Sequence, residues 1–325
     1  MPEPTPTDHP DRRDLPDLPV IHVDKALSDA DVAHVDGRAE ITGTDDASLA
    51  GTTATCIGIG HRWDAARFAR FPDLRVVSRM GIGYDNIDVA AATAAGVVVC
   101  NGPDSPTVST AEHTMALMLA VTKELPALAE RARTGVTGNP SPSSLELDGA
   151  TLGLVGVGRI GCRVAVAASA LGMRVIAHDP GLTDAPDPCV SLVGLDEVIE
   201  ASDVISLHAP AVAATHHLID TASLARMRHG VYLVNCARGP LVDHDALLAA
   251  LESGQVAGAG LDVTEPEPLP AGHPLLERPD VIVTPHIASS TVAGRARLFA
   301  HAFDNALAVL QGRPASIVNP EVLST

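Results

Sequence analysis

Residues 151–179, TLGLVGVGRIGCRVAVAASALGMRVIAHD, restrict the fold more than any other stretch of the chain. A β-branched run, Thr151–Gly156, leads into glycines at 156, 158 and 161. An alanine-rich segment of helical length, Cys162–Leu171, follows, and a second β-branched run, Arg174–His178, ends at Asp179. Strand, glycine turn, helix and strand in that order make a parallel β-α-β unit with a helix N-terminus beside the glycines. There Gly156 makes the tight turn, Gly158 lets backbone approach a pyrophosphate, and Gly161 permits close helix–strand contact. The helix start adds N–H donors and the positive end of its dipole. A carboxylate at 179 accepts hydrogen bonds from both ribose hydroxyls and repels a 2′-phosphate, so the stretch predicts NAD rather than NADP. Three glycines at this spacing are a weak signal in a chain with 27 of them. The ordered context favours the cofactor reading over a glycine-rich turn with a capping aspartate.

The same alternation extends in both directions. After the motif, strands are expected at Asp203–Leu207, Val231–Asn235, Ala257–Val263 and Val281–Thr284, which makes six with the first two. Six strands with intervening helices fit a doubly wound, dinucleotide-binding sheet. Before it, Val20–Val23, Ala54–Ile59, Arg75–Ser78 and Gly96–Cys100 read as strands, then a Pro-rich turn, then a helix from about Ser109 past Glu124. With 325 residues, two α/β domains are the better expectation. We assign residues 19–108 and 295–325 to a substrate domain and 109–294 to the NAD-binding domain, with the helix Thr291–Leu310 returning the chain to the first. Residues 1–18, rich in Pro and Asp, read as a disordered tail.

Composition removes several functions. The net charge of −18, with lysine only at 25 and 123, disfavours a nucleic-acid partner. No run is long and apolar enough to span a membrane, and no signal-like segment opens the chain, so a cytoplasmic location is expected. The five cysteines are odd in number and lack a C-x-x-C pair, which argues against a disulfide scaffold and a thiolate zinc site; no metal is expected. The adjacent pair His216 and His217 reads as satisfied histidines near a strand end, without a functional role.

Hydride transfer to a 2-oxo acid makes three demands: a cation to hold the carboxylate, a proton donor for the carbonyl oxygen, and a carboxylate to favour the protonated donor. Ligands of open α/β sheets bind beyond the carboxyl ends of the strands. Three strand ends offer the right groups: Arg238 after Val231–Asn235, Asp262 and Glu267 after Ala257–Val263, and His286 after Val281–Thr284. Read one at a time, these are an exposed loop arginine, a turn acid between prolines and a strand-end histidine. Spacing alone leaves the two readings even.

Together, GLVGVGRIG, VNCARG and LDVTEPEPLPAGHPLLERPDVIVTPHIASST resemble the D-isomer-specific 2-hydroxy acid dehydrogenases, a family that includes hydroxypyruvate/glyoxylate reductases and phosphoglycerate dehydrogenase. RMGIGYDNIDVAAATAAGVVVCNGPD and TAEHT, residues 110–114, resemble its substrate-domain loop and interdomain helix, and the likeness runs over about residues 50–320. It implies two Rossmann- or flavodoxin-like doubly wound domains with the active site in the cleft between them, commonly as a homodimer. It implies Arg238 as carboxylate binder, His286 as acid/base and Glu267 as its partner. Met80, Gly81, Ile82 and Gly83 would add substrate contacts. The cofactor set would be Gly156, Gly158, Arg159, Ile160, Gly161, Asp179, His208, Ala209, Pro210, Thr215, Cys236, Ala237, Asp262 and His286, with Asp262 at the nicotinamide carboxamide. Cys236 is otherwise a small packing residue, since the chemistry needs no thiolate. Phosphoglycerate-type members carry an Arg-Ser pair where this chain has GIGHRWD (58–64), and phosphite-oxidising relatives carry Lys before GYDN where this chain has Ile82 and Gly83. The substrate expected is a small 2-oxo acid such as glyoxylate or hydroxypyruvate. The alternatives are a phosphoglycerate dehydrogenase-like enzyme or a nucleotide-sensing corepressor-like binder of the same fold.

Overall fold

The computed structural model describes residues 18–136, 144–313 and 316–324; the tail expected over residues 1–18 lies, apart from Leu18, outside them. The chain divides into two compact units, one formed by Met1–Pro103 with Ala296–Thr325 and the other by Asp104–Arg295.

Among the described residues, the first unit holds a five-stranded parallel sheet: β1 (Val20–Val23), β2 (Glu40–Ile41), β3 (Ala54–Ile57), β4 (Val76–Arg79) and β5 (Val98–Cys100). Its spatial order is β2-β1-β3-β4-β5, the flavodoxin-like winding. Strands β3, β4 and β5 are buried at every position, because helices cover both faces of a parallel sheet. Alternate side chains feed two cores. Ile21, Cys56 and Val76 meet Phe299 and Phe303 of the last long helix on one face, while Ile57, Val77 and Val99 meet Trp63, Phe68 and Leu74 on the other. The C-terminal segment belongs here because Val318 N donates to Val99 O at 2.8 Å and Ile317 bridges Cys100.

The second unit holds seven parallel strands among the described residues: β6 (Thr151–Val155), β7 (Arg174–His178), β8 (Val190–Leu192), β9 (Val204–Leu207), β10 (Val231–Asn235), β11 (Val256–Leu261) and β12 (Val281–Val283). They run in the order β12-β11-β10-β9-β6-β7-β8. The chain winds outward from β6 to β8, then returns to the other side of β6 as β9. The carboxyl ends of β6 and β9 therefore flank the switch point of a Rossmann sheet, where ligands of such sheets bind.

Two strands escape the sequence pattern, β2 and β8. They are two and three residues long and sit at sheet edges, too short for a period-2 signal to register. The helix expected to run past Glu124 instead ends at Thr122. Glu124 takes φ 53 and a new helix, Leu125–Arg133, starts with Pro126 in its first turn, where a missing N–H costs nothing. No helix among the described residues is long and apolar enough to cross a membrane.

Candidate active site

The glycine turn is shaped by what surrounds it. Gly156 has φ +88, and a Cβ there would stand 2.7 Å from the carbonyl oxygen of His208 at the end of β9. A Cβ on Gly161 would stand 2.6 Å from the Gly156 carbonyl oxygen, so these two glycines are needed for the fold itself. Gly158 differs: it takes φ −67 as N-cap of the helix Arg159–Ala170, and a Cβ would meet nothing within 4 Å. Open space above a bare helix start is a cradle into which phosphate oxygens fit. Asp179 braces the turn, accepting from Val157 N at 3.0 Å through Oδ2 and from Gly181 N at 3.0 Å through Oδ1. A carboxylate has about four acceptor positions, so both oxygens can also take ribose hydroxyls. These residues fit a dinucleotide.

At the end of β10 the buried Asn235 acts as a brace. Its Nδ2 donates to Arg238 O at 2.8 Å and its Oδ1 accepts from Ala237 N at 3.0 Å. That fixes the turn through Cys236 and Ala237, and Arg238 Nη1 donates to Ala237 O at 2.6 Å. Burial pushes the Cys236 thiol up to about 12, so no thiolate is available there.

Beyond β11, Asp262 is 1 % exposed. Its Oδ1 accepts from Thr284 Oγ1 at 2.6 Å and Ile287 N at 2.9 Å, and its Oδ2 from Ala288 N at 2.8 Å. Its backbone oxygen accepts from His286 N at 2.8 Å. One buried carboxylate thus holds the turn that carries His286, whose φ of +52 is rare for a non-glycine residue. Sequence reasoning missed two members of this network, Thr284 and His113. His113 Nε2 lies 3.0 Å from Thr284 Oγ1 and 3.5 Å from Asp262 Oδ1. His113 sits within the TAEHT segment, and no spacing rule links it to a turn some 170 residues on.

His286 Nδ1 lies 2.7 Å from Glu267 Oε1. An ionised carboxylate can only accept, so Nδ1 carries the proton of that bond and Nε2 is left for proton exchange. Burial opposes ionisation of Glu267, but the His286 hydrogen bond and charge, the Thr264 amide and the Arg238 charge outweigh it and hold its carboxyl below the usual range. The three strand-end residues are therefore electrostatically coupled through Glu267.

Thr215 Oγ1 donates to Pro210 O at 2.6 Å and accepts from Val212 N at 3.0 Å, closing the loop after His208, Ala209 and Pro210. Burial lowers His208 to about 4, and its Nε2 lies 3.0 Å from Ser206 Oγ. Arg159 is exposed and pairs with Asp104 at 2.7 Å, while Ile160 packs on the core. In the first unit, Met80–Gly83 follows β4. Arg79 Nη1 donates to Met80 O, Gly81 N to Arg79 O at 3.0 Å, and Gly102 N to Gly81 O at 2.8 Å. Gly81 has φ +130.

Residues 115–288 match the family model described as D-isomer specific 2-hydroxyacid dehydrogenase, NAD binding domain. The chain is 41% identical over 268 residues to the glyoxylate reductase of Thermofilum pendens, covering 80% of this chain and 79% of that protein. It is 40% identical over 249 residues to the D-3-phosphoglycerate dehydrogenase of Bacillus subtilis, covering 76% of this chain and 47% of the relative. Among solved structures, the D-lactate dehydrogenase of Aquifex aeolicus complexed with NAD and lactic acid superposes with a TM-score of 0.78 at 30% identity, covering 90% of this chain and 96% of that one.

Proposed function

The chain belongs to the family of D-isomer specific 2-hydroxyacid dehydrogenases, and on that premise we propose that it reduces a small 2-oxo acid such as glyoxylate or hydroxypyruvate, with His286 as proton donor. It is an NAD-dependent oxidoreductase of 2-hydroxy acids. The observation that carries the assignment of roles is the 2.7 Å bond between His286 Nδ1 and Glu267 Oε1, on a carboxylate that also feels Arg238.

The nicotinamide, when bound, supplies or accepts the hydride at the substrate C2. Arg238 holds the substrate carboxylate through its planar fork, with Asn235 fixing the turn from which it reaches. His286 Nε2 delivers its proton to the carbonyl oxygen, and Glu267 stabilises the imidazolium before transfer. Oxidation runs the same path backwards, with neutral His286 as base. In the first unit the Gly81 amide is already committed to Arg79 O, so we assign substrate donation within Met80–Gly83 to Ile82 and Gly83. Gly156, Gly158, Arg159, Ile160, Gly161, Asp179, His208, Ala209, Pro210, Thr215, Cys236, Ala237 and Asp262 are assigned to the cofactor.

The decisive test is NADH oxidation with glyoxylate, hydroxypyruvate, pyruvate, phenylpyruvate and phosphohydroxypyruvate, with NADPH in parallel. Turnover that prefers NADH and one of the unphosphorylated acids supports the proposal; measurable NADH binding without turnover on any acid overturns it. The similarity to the Bacillus phosphoglycerate enzyme favours a second reading, for which the exposed Arg62 in GIGHRWD is the cation at hand. Phosphohydroxypyruvate as the best substrate would establish it.

Two further results are expected. Gly158→Ala should leave the melting temperature unchanged, since its Cβ meets nothing within 4 Å, yet weaken NADH binding at least ~10-fold by filling the phosphate cradle; equal NADH affinity would refute the cradle. Glu267→Gln should slow reduction about 10- to 100-fold. Because the Glu267 carboxyl is held low in the folded state, its pairing contributes stability above its unfolded pKa and loses it as pH falls through the folded one. The variant should accordingly lose part of the wild-type dependence of stability on acid pH.

A homodimer and a cytoplasmic location complete the proposal. An apolar groove of about 930 Å³ runs between the helices Thr107–Thr122 and Arg159–Ala170, lined by Val108, Met115, Leu119, Val166 and Leu171. Such a patch suits a self-complementary interface, and a sedimentation mass of one chain would refute it. Five free cysteines, three of them buried, accord with a reducing compartment.

A further inference from the structure

One side-chain cluster in the second unit has no part in hydride transfer. His216 and His217, on the loop after β9, and Glu265, on the loop after β11, each present a ligand atom, and the three atoms lie within 4.8 Å of one another. His217 Nε2 stands 3.3 Å from Glu265 Oε2, the spacing of two donors that each lie ~2.0 Å from a tetrahedral ion. The two imidazoles stack with centroids 4.0 Å apart. Adjacent side chains of an extended strand point oppositely; here His217 takes φ +50, which brings both rings to one side. His217 N donates to Pro240 O at 2.8 Å, and His244 Nδ1 lies 2.8 Å from Glu265 O, so both loops are anchored behind their ligands.

His244 supplies an independent observation. It is 7 % exposed, and its Nε2 is buried with no hydrogen-bond partner among the described residues. It lines the same cavity, about 330 Å³, as His216, His217, Glu265 and His273. The 2.8 Å contact of Nδ1 with the Glu265 carbonyl, shorter than the 3.2 Å approach of Glu265 N to the same atom, makes Nδ1 the donor and leaves Nε2 of the neutral ring presenting a lone pair. A buried lone pair on the wall of the cavity that holds three convergent ligands calls for a hydrogen-bond donor such as a metal-bound water. Asp243 and Asp245 on the same cavity wall favour a cation.

We propose that His216, His217 and Glu265 bind a divalent transition ion of the zinc class, with water at the fourth position. Two imidazoles and one carboxylate suit zinc, cobalt, nickel or copper, whereas calcium and magnesium demand oxygen donors. The ion links the loop that carries Thr215 to the loop that carries Glu267, and so stabilises the second unit without entering the reaction.

The test uses the full chain, stripped with a chelator and desalted, titrated with zinc chloride alone by calorimetry and with cobalt chloride by visible absorption. One equivalent of zinc binds, cobalt gives the intense visible bands of a tetrahedral site, and zinc raises the melting temperature. His216→Gln and Glu265→Gln each weaken binding at least ~10-fold, since loss of even an outer-shell partner costs that much. Both residues are exposed, so metal-free melting of these variants stays at the wild-type value, whereas the remote His301→Gln control binds as wild type. Binding that survives intact in the His216→Gln/Glu265→Gln double variant, or no zinc binding at micromolar protein, overturns the proposal.

Discussion

Replacing His286 with alanine is expected to lower 2-oxo acid reduction by about 10³-fold, within the range for loss of a general acid, while NADH affinity changes little. The reason lies in the proposed division of labour at the strand ends. Arg238 still holds the substrate carboxylate, so KM should rise far less than kcat falls. The residual rate belongs to orientation alone, and it should lose the pH dependence that a titrating imidazole imposes. In the wild type, reduction should slow as rising pH depletes the imidazolium that delivers the proton; oxidation should show the opposite limb. A reduction rate flat from pH 6 to pH 10 in the wild type, under conditions where chemistry limits turnover, would count against His286 as the donor. Arg238→Lys gives the complementary signature: the charge survives but the bidentate fork is lost, so KM should rise with a smaller effect on kcat.

How far the sequence alone reaches can be judged from these same residues. The glycine turn and Asp179 were legible because β-α-β winding makes them neighbours within 28 residues, and the structure places Val157 N on Asp179 Oδ2. The placement of Arg238, Glu267 and His286 after β10, β11 and β12 was legible because parallel strands deliver their carboxyl ends to one edge. The brace beneath them was not. Asp262 could be singled out as a strand-end acid, but its burial and its grip on Thr284, Ile287 and Ala288 depend on three-dimensional closure of a turn with His286 at positive φ. His113 reaches that network from a helix early in the unit. Helical periodicity marks a buried face without saying which strand end it meets. The approach of Glu265 to His216 and His217 was invisible for the same reason, since these side chains sit on two loops that follow strands separated in the sheet by β10.

Gly239→Ala is expected to destabilise the protein by about 3 kcal/mol or more, at the upper end of overpacking costs, and to lower its melting temperature by roughly 6–12 °C. A Cβ at this position would overlap the backbone carbonyl of Thr264 and stand 2.9 Å from Glu265 N. Neither obstacle is a side chain that can rotate away. The Thr264 segment leads directly to Glu267 and is itself fixed, for Thr264 Oγ1 donates to Pro266 O at 2.8 Å and Glu265 O lies 2.8 Å from His244 Nδ1. Relief must come from separating the turn that carries Arg238 from the loop that carries Glu267, so stability and activity should fall together. Gly158→Ala provides the contrast that makes the result interpretable, because there the added methyl faces open space and only cofactor binding should suffer. A Gly239→Ala protein that melts like the wild type and keeps its kcat would show that the loops after β10 and β11 are not packed backbone to backbone. The coupling of Arg238 to Glu267 would then lose its structural basis.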